Sequence, residues 1–109
     1  MKRHRNEGEL TSRVIKALNQ IPGVIAWRRS VGRRGHIKFG ITGEADCQGV
    51  IAPHGRMWAI ELKMPGGERS SEQVAWAESV IALGVPYLCT ESYDEAIAFV
   101  VGLAQTSSR

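Results

Sequence analysis

The chain has 109 residues, of which 43% are hydrophobic and 23% charged, values ordinary for one globular domain with its own core. No apolar run approaches the roughly 18–20 residues of a membrane span, and the basic N-terminus lacks the apolar stretch of a secretory leader. We therefore expect a cytoplasmic protein without a membrane partner. Cys47 and Cys89 are far apart and form no C-x-x-C pair, which favours reduced thiols over a disulfide or a zinc site.

The net charge of +3 is unevenly distributed along the chain. Residues 1–56 contain 11 Lys and Arg against 4 Asp and Glu, whereas residues 57–109 contain 3 against 7. This asymmetry predicts a polyanionic partner that contacts the N-terminal half, although clusters of Lys and Arg are often only solvated. The candidate contact residues lie in and before a glycine-rich stretch, which we expect to be a mobile loop: Arg28, Arg29, Arg33, Arg34, His36 and Lys38.

The first predicted helix runs from about residue 7 to residue 20 and carries two acids with different surroundings. Asn6 is a favourable N-cap, and Glu9 lies three residues later, as a capping box requires. At 100° per residue, Glu7 lies about 20° from Val14 and points to the core side, while Glu9 lies on the far side. Glu7 is therefore either part of whatever the core surrounds or a first-turn acid favoured by the helix dipole. The helical spacing rests on Leu10, Val14, Ala17, Leu18 and Ile21.

The middle of the chain predicts a strand, a loop and a β-hairpin. Residues 24–30 form the strand, and the basic glycine-rich loop extends to Gly43. Residues 49–52 are a short apolar run. Residues 53–56 (PHGR) strongly predict a turn, centred between His54 and Gly55. Residues 57–63 alternate in polarity and complete the hairpin.

This hairpin is predicted to bring three charged residues together. Alternation directs Glu61 and Lys63 to one face of the second strand, and the turn then places Asp46 opposite Lys63 and Gln48 opposite Glu61. Directly opposed Cβ atoms lie about 4.5–5.5 Å apart. Two carboxylates and an ammonium group therefore converge, as in a metal-dependent hydrolytic site.

A solvated strand surface is the alternative interpretation of Glu61 and Lys63. The neighbouring residues favour the first interpretation, because both faces of the strand carry apolar side chains and so indicate a strand covered on both sides. Burying the two charges there costs several kcal/mol per ion unless they are paired or bind a cation. Proteins tolerate that cost mainly at functional sites.

The C-terminal half predicts a helix, a strand and a final helix. The helix begins after Ser70 and ends at Gly84, the strand covers residues 85–90, and Ser92 caps the final helix. The short link between helix and strand favours a parallel crossover unit. The element order α-β-β-β-α-β-α predicts an α/β sandwich around a short mixed sheet, in one domain over residues 1–109. Its ends are a basic arm over residues 1–6 and a frayed tail over residues 105–109.

Several of these residues resemble the PD-(D/E)XK nuclease superfamily: Gly43-x-x-Asp46, then Ile60-Glu61-Leu62-Lys63, then Gln73 in a helix. The leading helix, the Trp27-Arg28 strand, GEADCQG and IELKMPGGERSSEQ are together similar to the virus-type replication-repair nuclease (VRR-NUC) domain, from about Glu7 to Leu103. Many relatives have proline before the aspartate, where this chain has GEAD. Glu44 is thus either a spare metal ligand or a surface acid.

The resemblance implies a restriction-endonuclease-like fold and a Mg²⁺- or Mn²⁺-dependent endonuclease. Its expected substrate is branched DNA such as four-way (Holliday) junctions, in bacterial or phage DNA repair, and its expected state is a homodimer. By position, Asp46 and Glu61 would be metal ligands together with the backbone carbonyl of Leu62, and Lys63 would orient the attacking water and help to deprotonate it. Two further residues would complete the site: Glu7 from the first helix and Gln73 from the second.

Some alternatives remain open from the sequence. Gln73 also fits a capping box with Ser70, and that role competes with a place in the site. A restriction-type endonuclease is a second hypothesis, although 109 residues leave little room for a recognition domain. A non-catalytic DNA-binding module is a third, and buried charges argue against it. Three tryptophans are more aromatic surface than a small core alone needs, so each is either core or a candidate dimer contact: Trp27, Trp58 and Trp76.

Overall fold

The computed structural model describes residues 5–29, 32–34, 37–39 and 41–107. The elements are α1 (Glu7–Leu18), β1 (Val24–Arg28), β2 (Gly32–Arg34), β3 (Ile37–Phe39), β4 (Cys47–Ile51), β5 (Arg56–Leu62), α2 (Ser71–Ala82), β6 (Tyr87–Thr90) and α3 (Tyr93–Ser107). One sheet has the strand order β1-β4-β5-β6, in which β6 runs parallel to β5 and the other neighbours are antiparallel. The predicted α/β fold, a short mixed sheet with flanking helices, is confirmed.

The hydrophobic core lies on the face of the sheet covered by α1 and α3, which we call the core face. It exists because every second residue of β5 is large and apolar and meets the apolar sides of the two helices. Each fully buried side chain of this kind contributes about 1.5–3 kcal/mol of hydrophobic free energy. The central members are Leu10, Val14, Leu18, Trp58, Ile60, Leu62, Ala96 and Val100.

The position of Trp58 in the core requires a glycine on the neighbouring strand. Gly49 lies directly opposite it in the β4–β5 pair. A Cβ atom at position 49 would overlap both the Trp58 ring and the backbone carbonyl of Ile25. Since Trp58 is fully buried, it is core and offers no surface to a partner.

The predicted hairpin register was wrong by two residues. Cys47 pairs with Ile60 and Gln48 with Ala59, so Gln48 does not face Glu61. The cause is the turn, which is centred one residue earlier than predicted, because the loop between β4 and β5 covers residues 52–55. A displacement of two residues preserves which side chains share a face, so the predicted faces hold.

The predicted loop before Gly43 contains a short antiparallel ribbon, β2–β3, in which Arg33 is paired with Lys38. β1 ends at Arg28 and α1 at Leu18, each two residues before the predicted ends. At the other end of the chain, α3 continues to Ser107, so the helix includes part of the predicted tail. None of the described helices is long and apolar enough to cross a membrane. Cys47, in β4, is buried, and Cys89, in β6, is exposed; neither forms a disulfide.

Candidate active site

The opposite face of the sheet, which we call the site face, carries the two predicted carboxylates. Glu61 lies in β5, and Asp46 immediately precedes β4. Continuing the observed register by one residue brings Asp46 opposite Glu61, and not opposite Lys63 as predicted. The backbone N–H of Leu62 donates to Oδ2 of Asp46 at 3.2 Å, which fixes this carboxylate at the end of the hairpin. The charged residues therefore do converge, but the directly opposed pair is Asp46 and Glu61.

Glu61 is fully buried, which is unusual for a carboxylate. Its Oε2 accepts a hydrogen bond from Gln73, whereas its Oε1 has no partner among the described residues. Burial raises the pKa of Glu61 to about 9, and the neighbouring Asp46 carboxyl acts in the same direction. Lys63 and Arg29 oppose the shift. In the absence of a cation, the neutral form of Glu61 is therefore favoured at pH 7.

Gln73 connects the site to the start of α2. Its Nε2 donates to Oε2 of Glu61 at 3.1 Å, while its Oε1 accepts from Nζ of Lys63 at 3.0 Å and from the backbone N–H of Ser70 at 2.8 Å. Ser70 in turn caps the helix through its hydroxyl, so the predicted capping box is present. The cap and the site do not compete, because one amide oxygen accepts from both donors. The same contacts fix the amide orientation, since the reverse would set NH₂ against Lys63 and the Ser70 N–H.

Lys63 follows β5 directly and lies on the same face as Glu61. Its Nζ is 3.8 Å from Oε2 of Glu61, and its side chain is only 12% exposed. The ammonium group is thus shielded from most solvent and held by Gln73 beside the buried carboxylate. Such a position restricts the charge to a small volume next to the carboxylates.

Gly43 explains how α2 comes to lie beside Asp46. Its φ is +84°, a left-handed conformation that favours glycine. A Cβ atom there would overlap the carbonyl of Glu72 and would lie 3.0 Å from the backbone nitrogen of Gln73. The first turn of α2 therefore packs directly on the turn that precedes Asp46. The glycine of the Gly43-x-x-Asp46 motif has this close approach as its physical reason.

Arg29 is a partner of Asp46 that the sequence did not reveal. Its Nε lies 3.7 Å from Oδ1 of Asp46, and its Nη1 donates to the carbonyl of Glu44 at 3.1 Å. The neighbouring Arg28 points to the core face, where its Nη2 donates to Ser12 Oγ at 2.6 Å and to the carbonyl of Gly8 at 3.0 Å. Both arginines, predicted as DNA contacts, thus have partners within the chain.

The two acids of α1 lie in different surroundings, as their helical phase predicts. A methyl group placed on Gly67 would lie 3.5 Å from Oε2 of Glu7 and 3.5 Å from Cβ of Lys63. The half-buried Glu7 therefore lies beside the turn that follows β5, close to Gly67. Glu9 instead pairs with Arg5, whose hydrogen bond lowers the pKa of the Glu9 carboxyl.

The remaining predicted DNA contacts belong to the β2–β3 ribbon. Arg33 and Arg34 lie in β2, and Lys38 lies in β3. His36 lies outside the described residues. The ribbon is inserted between Arg29 and Ile41, so the chain leaves the sheet for it at the end where Asp46 and Glu61 lie.

The donor set fits a hard divalent cation. In the described part of the chain, no three His, Cys, Asp or Glu residues are grouped to hold a metal ion, so the candidate ligands are two carboxylates and a carbonyl. The unpartnered Oε1 of Glu61 beside Asp46 is an arrangement that a cation would neutralise. Within one strand residue, N–H and C=O lie on the same edge, so the carbonyl of Leu62 faces the same side as the N–H that binds Asp46.

Comparison with known proteins identifies the fold. No family model matches the chain, and no curated protein matches it. Among solved structures, the chain is similar to one described as a VRR_NUC domain, with a TM-score of 0.64 and 15% sequence identity. The match covers 86% of this chain and 92% of the other. The chain therefore has a VRR-NUC-like fold, and the predicted resemblance is confirmed at the level of the fold.

Proposed function

We propose that this protein is a Mg²⁺- or Mn²⁺-dependent endonuclease that hydrolyses phosphodiester bonds in branched DNA. The observation that carries the proposal is the fully buried Glu61, whose Oε1 has no partner among the described residues while Asp46 lies beside it. A carboxylate pair in such a place costs stability unless a cation binds between them. The VRR-NUC-like fold supports the same conclusion.

Asp46 and Glu61 would hold the cation, with the carbonyl of Leu62 as a third ligand. When bound, a divalent cation lowers the pKa of coordinated water and polarises a phosphoryl oxygen. Lys63 would orient the attacking water, and its positive charge, held beside Glu61 by Gln73, would favour the hydroxide form of that water once its proton passes to solvent. Glu7, beside the turn that follows Lys63, would be the acid that α1 contributes to the site. Gln73 fixes Glu61 and Lys63 relative to each other through its two hydrogen bonds.

DNA is the substrate that the charge distribution favours. The basic ribbon, with Arg33, Arg34 and Lys38, would follow a phosphate backbone away from the carboxylates. A branched duplex suits a homodimer, because symmetric cutting of a four-way junction requires two sites and one domain supplies one. A light-scattering mass near 12.0 kDa together with paired incisions would refute the dimer.

The test is a cleavage assay with Mg²⁺ on a four-way junction and on linear duplex of the same sequence. We expect incision of the junction that requires the metal. Asp46→Asn and Glu61→Gln should each abolish incision and leave DNA binding intact or tighter, because each removes a negative charge near phosphate. Near-normal turnover in either variant contradicts the site, and equal cutting of linear duplex contradicts the branched substrate.

A further inference from the structure

Trp27 is a large aromatic residue on the site face of the sheet. It pairs with Gln48 in β4, and Gln48 pairs with Ala59 in β5, so the three residues form one row across the sheet. The next row on the same face contains Asp46 and Glu61. Trp27 is 42% exposed, whereas Ala26 beside it points to the core face and is buried.

The register places Trp27 close to the carboxylates. Asp46 is its diagonal neighbour, and diagonal neighbours on one face lie about 7–8 Å apart, within reach of an aromatic side chain. Along one strand of B-DNA, successive nucleotides rise about 3.4 Å. A base in contact with Trp27 would therefore lie within about two nucleotides of a phosphate at Asp46.

The rest of this row is already covered. Tyr87, which pairs with Ala59, packs against Trp76 of α2 with ring centroids 6.4 Å apart, and the guanidinium of Arg69 lies 5.9 Å from the centre of the Tyr87 ring. The second helix thus occupies the β6 side of the site face. On the β1 side, Trp27 is 42% and Ile25 62% exposed, so among the described residues this side offers surface to a ligand.

A nucleobase fits this surface better than a second protein chain. A protein surface seated on Trp27 would also cover Asp46, only a diagonal neighbour away, and would exclude a DNA substrate from the carboxylates. Arg29, two residues along the same strand and on the same face, adds a positive charge in the row of Asp46. Base–aromatic stacking is tolerant of sequence, because every base has a π-face.

We propose that Trp27 stacks on an unpaired base next to the scissile phosphate and so determines the preference for branched DNA. The proposal rests on the function proposed above. In a continuous duplex, each base is stacked on its neighbours and offers no free face to the indole. At a flap, a fork or an opened branch point, an unpaired base does. Trp27 is thus a specificity-determining residue and takes no part in the chemistry.

The test measures binding in EDTA, so it does not depend on catalysis. The probe is a branched DNA that carries a single unpaired 2-aminopurine at its branch point. The comparison is the same DNA with an abasic site at that position. Trp27→Ala should weaken binding of the 2-aminopurine DNA by about 5- to 150-fold, and the abasic DNA should bind wild type and variant equally. Ile25→Ala is the matched control, because Ile25 is on the same strand and face, 62% exposed and one row farther from Asp46.

A second pair of variants separates stacking from apolar contact. Trp27→Phe should retain most of the affinity, whereas Trp27→Leu should behave like Trp27→Ala. Equal binding by the Phe and Leu variants would overturn the proposal, as would an equal loss on paired, unpaired and abasic DNA. Dissociation of a dimer by Trp27→Ala, seen by light scattering, would also overturn it and make a second copy the occupant. If the protein is not a nuclease, cleavage is absent for every variant while this pattern in EDTA can still be measured.

Discussion

In the central sheet, strand β5 contributes large apolar side chains to one face and a buried carboxyl group to the other. On the core face, Trp58, Ile60 and Leu62 of β5 are buried against α1 and α3 and stabilise the fold. On the site face, Glu61 is buried just as deeply, but with one oxygen unpartnered and its pKa raised to about 9. Alternation therefore lets the five consecutive buried residues of β5 contribute both to the core and to the candidate site.

The helices that cover the two faces differ in how much apolar surface they bury. α1 buries a continuous apolar stripe, whereas α2 buries only Ala77 fully and leaves Ile81 largely exposed. α2 is positioned instead by the close approach of Gly43, by its cap and by the link from Gln73 to Glu61. Together with the packing of Trp76 on Tyr87, these polar and backbone contacts hold α2 in place with little full burial of apolar side chains.

The largest effect on turnover among site-face variants that keep both carboxylates is expected for Lys63→Ala. Loss of a preorganised charged group typically costs about 10²–10³ in rate, and the fold should persist because the core face is untouched. Arg56→Ala is the matched control, since Arg56 is an exposed cation at the other end of the same strand. Single-turnover cleavage rates decide the matter: equal rates for the two variants would make Lys63 only a surface charge.

A smaller loss is expected for Gln73→Ala. Residues that orient a metal ligand typically contribute 10- to 100-fold in activity or metal affinity, and this variant removes the hydrogen bonds to both Glu61 and Lys63. Ser70→Ala is the control, because it removes the hydroxyl cap but leaves the Gln73 amide, at a cost of about 1 kcal/mol of stability. Cleavage rates at saturating Mg²⁺ and thermal melts should separate the two; an equal loss of rate in both would reduce Gln73 to a cap.

The smallest effect on turnover is expected for Ile60→Ala, and its effect on stability should contrast sharply with that of Glu61→Gln at the adjacent residue of β5. In metal-free protein the stabilisation tied to neutral Glu61 is complete below its ordinary pKa of 4.5 and is lost as pH rises through about 9, because the folded-state pKa is raised. Melting temperatures in EDTA should therefore fall with pH more steeply for wild type than for Glu61→Gln. Ile60→Ala should lower stability by about 2–5 kcal/mol at every pH and keep the wild-type slope, with turnover per folded molecule nearly unchanged. Parallel slopes for wild type and Glu61→Gln would show that Glu61 is not buried as a neutral acid.

The sequence predicts the faces of the sheet well and its register poorly. A period of two assigns Glu61 and Lys63 to one face whatever the turn does, whereas the pairing of Asp46 depends on where a four-residue loop is centred. The caps at Asn6, Ser70 and Ser92 were predictable, because their hydrogen bonds join residues close in sequence. The capping box of Gln73 with Ser70 could be predicted from their spacing. The hydrogen bonds of Gln73 to Lys63 and Glu61 could not, because a capping box does not indicate which residues lie beside the helix.

Other features required the tertiary structure. The reason for glycine at Gly43 is the backbone of α2, about thirty residues away in sequence, and the partner of Asp46 is Arg29 from a different strand. The β2–β3 ribbon was missed because glycines in this part of the sequence indicate a loop equally well. Trp27 could be assigned to the site face only once β1 was known to pair with β4.

Calorimetric titration of Mn²⁺ into the metal-free protein tests the central claim most directly. If Asp46 and Glu61 form a cation site on the buried site face, wild type should show saturable binding that Asp46→Asn and Glu61→Gln each abolish, while Ile60→Ala retains it in the folded fraction. Saturable binding that survives in both carboxylate variants, or its absence from folded wild type, would contradict the account.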